Sequence, residues 1–170
     1  MVISSKNYFL EANIMKQLIV ITLVLLAGLA TAAEPAKLKF ETYSGYFVSN
    51  KFEPKATTSF VTARDQKQFD QVFGVAFVMR DKSHRLAADA FKSQLVLAAI
   101  RRGMAFCTYQ VTSVTEKDGV VQLRYKTTAK KSESASFACP LIISIPQGNY
   151  QAIEFHENNK LVKRLAIKSK

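Results

Sequence analysis

Residues 94–145 carry short apolar runs separated by turn residues, and this pattern constrains the fold more than any other part of the chain. The run at 95–100 is apolar throughout, as expected of a strand buried on both faces. The runs at 106–114 and 121–125 alternate apolar and polar residues, which predicts two half-buried strands. Between them, Asp118-Gly119 supplies the positive φ angles of a tight hairpin turn. The side chains predicted to point inward are Cys107, Tyr109, Val111, Val121, Leu123 and Tyr125.

A short helix is predicted at residues 65–73. Asp65 is placed to cap its first turn, Gln68 follows three residues later, and Gly74 is expected to end it. Residues 86–92 have the pattern of one further helical turn. The chain therefore has one or two short helices among many strands.

The remaining segments complete a β-rich pattern. Residues 57–63, the segment around Ile153 and Phe155, and residues 161–167 have strand character. Residues 157–160 are predicted to form the hairpin loop between the last two strands. Residues 127–136 are polar and without periodicity, which predicts a flexible loop. Pro140 lacks an N–H, so its strand is expected to lie at a sheet edge or to begin at Leu141. The predicted fold class is α+β, mainly antiparallel β-sheet, in one domain.

The N-terminus, residues 1–32, has the parts of a secretory signal peptide: a basic start, an apolar run at 18–26, and small residues up to Ala32. Translation from Met15 would give an ordinary short signal, and we expect it to begin there. A membrane anchor is the alternative, but the run is shorter than the roughly 20 apolar residues a spanning helix needs. We expect the mature chain, 33–170, to be exported to the periplasm or the exterior without a membrane span.

The two cysteines, Cys107 and Cys139, lie in separate strand-like runs. Two thiols in an oxidising compartment usually form a bridge, so we predict a disulfide between them. Two buried free thiols that pack as small apolar residues are the alternative. The two histidines, His84 and His156, lack the spacing of metal ligands, and we expect neither a metal nor another cofactor.

The chain is strongly basic, with a formal net charge of +11. Such a charge favours weak binding to acidic surfaces, for example envelope lipid or polysaccharide. We expect no nucleic-acid partner, because the basic residues are not interleaved with aromatic residues as they are in single-strand binders.

Several segments together carry a family resemblance that covers roughly residues 60–156. They are the helix-forming residues 65–73, the Ala88-Asp-Ala-Phe-Lys92 turn before the apolar strand 94–100, Gly103, the Tyr-x-Val pair Tyr109 and Val111, the polar hairpin, and a Pro-Leu-Ile-Ile strand that runs into Ile145 and Pro146. In these features the chain resembles the C-terminal-domain family named for the protease-complex subunit PrcB. The resemblance implies a small exported β-rich domain that helps a partner protease to assemble or stay stable and has no chemistry of its own. We expect that partner to be a separate chain.

No catalytic pattern is evident in the sequence, and we expect the protein not to be an enzyme. Ser83 next to His84 lacks the strand-turn-helix elbow of a hydrolase, and a solvated loop is the expected setting. Histidine-dependent catalysis of unknown type remains open. The first hypothesis is therefore a non-catalytic accessory subunit that binds a partner protein. Its candidate binding residues are Tyr43, Tyr46, Phe47, Arg101, Arg102, Arg124 and Lys126.

The alternative hypothesis is an electrostatic binder of acidic envelope surfaces. Arg124 and Lys126 share one face of a predicted strand, so a basic sheet face is the structure that this hypothesis requires. A solvated face without a partner is the ordinary reading of such residues. Salt separates the two hypotheses, because charge-driven binding weakens with ionic strength more than a packed protein interface does.

Overall fold

The computed structural model describes residues 34–76 and 84–167. From Pro35 onward the described residues form one compact unit. The predicted signal peptide, the start at Met15 and Ser83 lie outside the described residues. Among the described helices, none has the length and apolar character needed to cross a membrane.

Two sheets make up most of the unit, and the predicted fold class, mainly antiparallel sheet with one or two short helices, is confirmed. The five-stranded sheet has the order β1-β7-β8-β10-β11, in which β8 and β10 run parallel and the other neighbours antiparallel. Its strands are β1 (Ala36–Lys37), β7 (Ala105–Lys117), β8 (Val120–Lys131), β10 (Ala152–Glu157) and β11 (Lys160–Ala166).

The four-stranded sheet has the order β2-β9-β6-β4 and is antiparallel throughout. Its strands are β2 (Glu41–Tyr43), β4 (Thr58–Ala63), β6 (Gln94–Gly103) and β9 (Phe137–Pro146). A third layer contains the helix α1 (Gln66–Val72), the short strands β3 (Tyr46–Val48) and β5 (Phe73–Val75), which pair with each other, and a 3₁₀ turn (Ala90–Lys92).

The four-stranded sheet lies between two apolar cores. Every residue from 95 to 100 in β6 is buried, as the uninterrupted apolar run predicts. One set of alternate residues faces the five-stranded sheet, where the core includes Leu97, Leu123, Ile143, Ile153 and Phe155. The other set faces the third layer, where the core includes Val96, Ile100, Phe69, Val72 and Ile142. Burial of each large apolar side chain contributes about 1.5–3 kcal/mol, so this central layer supplies much of the stability.

The helix begins as the sequence predicts. The Asp65 carboxylate accepts the backbone N–H of Gln68 at 2.8 Å, which satisfies a free donor of the first turn. Its predicted end was wrong. The helix ends at Val72, Phe73 is already extended, and Gly74 lies within β5, where the ring of Phe47 covers it so closely that a Cβ would clash. The glycine is therefore needed for close packing in a strand and does not terminate the helix.

Both predicted tight turns are confirmed. Asp118 and Gly119 have φ angles of 53° and 76°, and Asn158 and Asn159 have 49° and 67°. Glycine and asparagine tolerate this left-handed region better than other residues do, so these local signals were sufficient.

Two other local predictions were wrong. Residues 127–131, expected in a loop, continue β8 and pair with 105–109 of β7. Their backbone ladder with β7 holds them in a strand although their side chains are largely exposed. Pro140 lies inside β9, a central strand, and pairs with Ile100. It is tolerated there because β2 covers only residues 142–144 of β9, so this part of the strand behaves locally as an edge.

Candidate binding surfaces

The five-stranded sheet presents one face to the core and one to solvent. In β8 the buried Leu123 and Tyr125 alternate with Gln122, Arg124 and Lys126, which point the other way. The strand register places the following polar residues on the same outward side, here called the outer sheet face: Lys37, Lys117, Gln122, Arg124, Lys126, Lys130, Glu154, His156 and Arg164. All the charged residues of this set except Glu154 and His156 are lysine or arginine.

Glu154 lies at the centre of a polar network on this face. Its Oε1 accepts a hydrogen bond from Arg164 Nη1 at 3.1 Å, and its Oε2 accepts one from Gln122 Nε2 at 3.2 Å. His156 Nε2 also lies 3.2 Å from Oε2. Arg124 Nη2 donates in turn to Oε1 of Gln122 at 3.0 Å. The carboxylate and the amide therefore connect two guanidinium groups that lie on strands separated by β10.

The centre of this network is buried although it lies outside the core. Glu154 and His156 are each only 9% exposed, whereas the Arg164 side chain is 58% exposed. A buried carboxylate is costly unless its oxygens accept hydrogen bonds, and here they are engaged by charged and amide donors. These hydrogen bonds restrain the side chains of Gln122, Arg124 and Arg164 on the sheet surface.

A second surface lies at the end of the sheets where β6 passes into β7 and β8 into β9. The rings of Phe106 and Phe137 meet edge to face, with centroids 5.6 Å apart. Phe106 is 51% exposed and Met104 is 47% exposed. The backbone N–H of Ser132 donates to the carbonyl of Met104 at 2.7 Å, so the two connections are joined. We call Met104, Phe106, Phe137, Lys130 and Lys131 the aromatic end.

The candidate aromatic residues of the sequence do not form one surface. Tyr43 donates to or accepts from Ser144 Oγ at 2.8 Å, and burial raises the pKa of its phenol. Tyr46 packs edge to face on Phe69 with centroids 4.9 Å apart, and its oxygen accepts the N–H of Leu86. Phe47 is 53% exposed. Of the three, Phe47 therefore has the most side chain available to a partner.

The candidate arginines Arg101 and Arg102 point to opposite sides of β6. Arg101 forms an ion pair with Glu157 at 2.9 Å, at the margin of the five-stranded sheet. Arg102 donates to Ser59 Oγ and to the carbonyl of Phe52, within the third-layer side of the molecule. Both side chains are engaged in contacts within the chain, and neither joins Arg124 and Lys126 on the outer sheet face.

Sequence reasoning missed the aromatic end and the Glu154 network. A signal for the first was present: once Cys107 and Tyr109 are assigned inward, the strand alternation places Phe106 outward, where an apolar residue is unexpected. The network had no comparable signal, because Gln122 reaches Glu154 only through the parallel pairing of β8 with β10.

The two cysteines lie together where β7 meets β9. The backbone N–H of Cys107 donates to Sγ of Cys139 at 3.1 Å, and both side chains are buried. The hydroxyl of Tyr109 donates to the carbonyl of Cys139 at 3.0 Å. Burial raises the pKa of the Cys139 thiol. The sulfurs are unbonded in the structure, and the disulfide stays a prediction.

Among residues 34–76 and 84–167, no three His, Cys, Asp or Glu side chains converge as they would around a metal ion. A comparison with protein-family models finds no match, and none is found among curated proteins or solved structures.

Proposed function

We propose that this protein is an exported, non-catalytic accessory subunit that binds a partner protein through the aromatic end. The observation that carries the proposal is the half-exposed Phe106, packed edge to face on the partly buried Phe137, together with the exposed Met104. Aromatic residues and methionine are enriched at protein interfaces, and charged residues commonly form the rim around such a centre. Lys130 and Lys131 occupy that rim position here.

The exposure of the Phe106 ring favours a packed interface. Phe106 leaves about half of its side chain in water, although an aromatic side chain contributes strongly when it is fully buried. Its edge-to-face contact with Phe137 also limits ring motion, so less side-chain entropy is lost when a partner covers the pair. The resemblance to the PrcB family adds the expectation that the partner is an exported protease.

The test is co-purification of the tagged protein from its own envelope extract at moderate salt, with partners identified by mass spectrometry. We expect the wild type and a Phe47→Ser control to retain the same dominant partner, and Phe106→Ser to lose it. Phe47 is a matched control because it is equally exposed but lies in the third layer. Circular dichroism establishes that both variants are folded, and the captured partner is then purified and rebound to each variant.

Retention of that partner by Phe106→Ser would refute the aromatic end as the interface. Equal loss in both variants would refute it too, because the contact would then not be specific to this surface.

A second candidate function is binding to acidic envelope surfaces, and the placement of Arg124 and Lys126 on the outer sheet face favours it. The two functions respond differently to ionic strength. Retention on acidic envelope material that disappears between low and moderate salt, and that depends on Arg124 and Lys126 but not on Phe106, would support this second function.

A further inference from the structure

We propose that the outer sheet face binds an extended, acidic segment of a partner protein, and that Glu154 positions the arginines that bind it. The inference rests on the proposed function, since it specifies the chemistry of the partner. The outer sheet face shares Lys130 with the aromatic end, and the variants Glu154→Gln and Phe106→Ser perturb the two parts separately.

The spacing of the cations matches an extended chain. Arg124 and Lys126 lie two residues apart on one face of β8, and Lys130 follows four residues later. Residues two apart in a strand are separated by about 6.6 Å, which is also the repeat of same-side residues in an extended peptide. A segment laid along β8 with an acidic residue at every second position would bring carboxylates opposite Arg124, Lys126 and Lys130. Thr128 occupies the remaining outward position between the two lysines.

Charge complementarity selects an acidic occupant. The sole carboxylate in the polar set of the outer sheet face, Glu154, already accepts hydrogen bonds from Arg164 and Gln122. The neighbouring lysines Lys37 and Lys117 extend the positive region toward β1 and the β7–β8 turn. An acidic segment laid along β8 would therefore meet three cations, Arg124, Lys126 and Lys130.

Glu154 restrains two of the arginine side chains on this surface. Through its two oxygens and the Gln122 amide it holds Arg164 and Arg124 on either side of β10. A guanidinium group that is already restrained loses less side-chain entropy on binding than a mobile one does. Restrained guanidinium groups therefore favour a ligand whose carboxylates have a matching, fixed spacing. A fluid lipid surface has no such fixed spacing, and so the geometry favours a polypeptide.

The experiment measures binding of two amidated peptides, each labelled with fluorescein at its N-terminus, to the purified mature chain by fluorescence anisotropy in 0.1 M salt. One peptide is (Glu-Ser)₄, and the other is (Glu-Glu-Ser-Ser)₂, which has the same composition and charge but a different spacing. We expect the alternating peptide to bind about threefold more tightly, the effect of one exposed charge-assisted contact. Vesicles of phosphatidylglycerol are measured in parallel.

The variant Glu154→Gln separates positioning from net charge by the direction of its effect. It makes the protein more positive by one charge, so simple electrostatics predicts tighter binding. If Glu154 positions Arg164 and Arg124, the alternating peptide should instead bind about threefold more weakly. Glu53→Gln makes the same charge change on an exposed loop residue and should leave the preference for alternating spacing intact.

A double-mutant cycle completes the test. Arg164→Gln should weaken binding, and adding Glu154→Gln to it should cost less than Glu154→Gln does alone, because the carboxylate acts through the arginine. Should Glu154→Gln fail to fold, the double variant Arg124→Gln, Lys126→Gln tests the same surface at a half-buried and an exposed position. The proposal is overturned if both peptides bind equally, if Glu154→Gln binds as tightly as the wild type, or if only the vesicles bind.

Discussion

Oxidation of Cys107 and Cys139 is the perturbation whose effect follows most directly from the structure. The Cys107 N–H lies 3.1 Å from Sγ of Cys139, and both sulfurs lie within 4.0 Å of the carbonyl oxygen of Ala105. The two side chains therefore lie next to each other, as formation of a disulfide requires. In the presence of oxidised glutathione, the two thiols become a protein disulfide while one glutathione disulfide is reduced to two thiols.

The magnitude follows from the chain that the bond would close. The cysteines are 32 positions apart, with the whole of β8 between them. Closing such a loop removes entropy from the unfolded chain and stabilises the folded state by about 3–4 kcal/mol in the chain-entropy model. For a domain of this size, that difference corresponds to an increase in melting temperature of about 10 °C. The raised pKa of the Cys139 thiol should make the reaction slow at neutral pH and faster as pH rises.

Thermal unfolding of the glutathione-treated protein, with and without added reductant, measures this effect. The oxidised form should melt about 10 °C higher, and the difference should vanish in the double variant Cys107→Ala, Cys139→Ala. Titration of thiols in the unfolded, non-reduced protein supplies the second readout. Two reactive thiols after glutathione treatment, or equal melting temperatures with and without reductant, would refute the reasoning that these sulfurs are placed to bond.

Three further predictions concern stability. Phe155→Ala should destabilise the fold by about 3–5 kcal/mol in urea unfolding, because this fully buried ring packs on Phe60 between the two sheets. Asp65→Ala should cost about 1 kcal/mol by the same assay through loss of the helix cap, and Asp65→Asn should retain most of the stability. Burial raises the phenol pKa values of Tyr109 and Tyr125, so the unfolded chain loses these two protons at a lower pH than the folded chain does. The contribution of the two phenols to stability should therefore be constant below about pH 10 and fall above it. Absorbance at high pH should show both phenols ionising only as the protein unfolds. Early ionisation of all tyrosines in the folded state would contradict this last prediction.

Much of the fold could be predicted because its signals are local. The apolar run of β6, the alternation in β7 and β8, the two left-handed turns and the Asp65 cap each depend on a few adjacent residues. The three wrong local predictions also have one cause in common. Gly74, Pro140 and residues 127–131 were assigned from local propensity, and each is set by a neighbour distant in sequence: the Phe47 ring, the short extent of β2, and the β7 ladder.

The candidate surfaces divide in the same way. Arg124 and Lys126 could be placed on one face because alternation along a strand has a period of two. The same rule separates the consecutive residues Arg101 and Arg102, whose partners are distant: Glu157 on one side, and Ser59 on the other. The alternation of side chains along a strand predicts which residues share a face, but it does not predict which residues of other strands they contact.

The sequence by itself therefore determined the strands, their turns and the two-sided burial of β6. The tertiary structure alone decided that β7 meets β9, which brings Cys107 to Cys139, and that β8 lies beside β10, which brings Gln122 to Glu154. The physical reason is that periodicity and turn chemistry act over a few residues. Strand order is chosen by the packing of whole apolar faces from distant parts of the chain, and no local pattern encodes it.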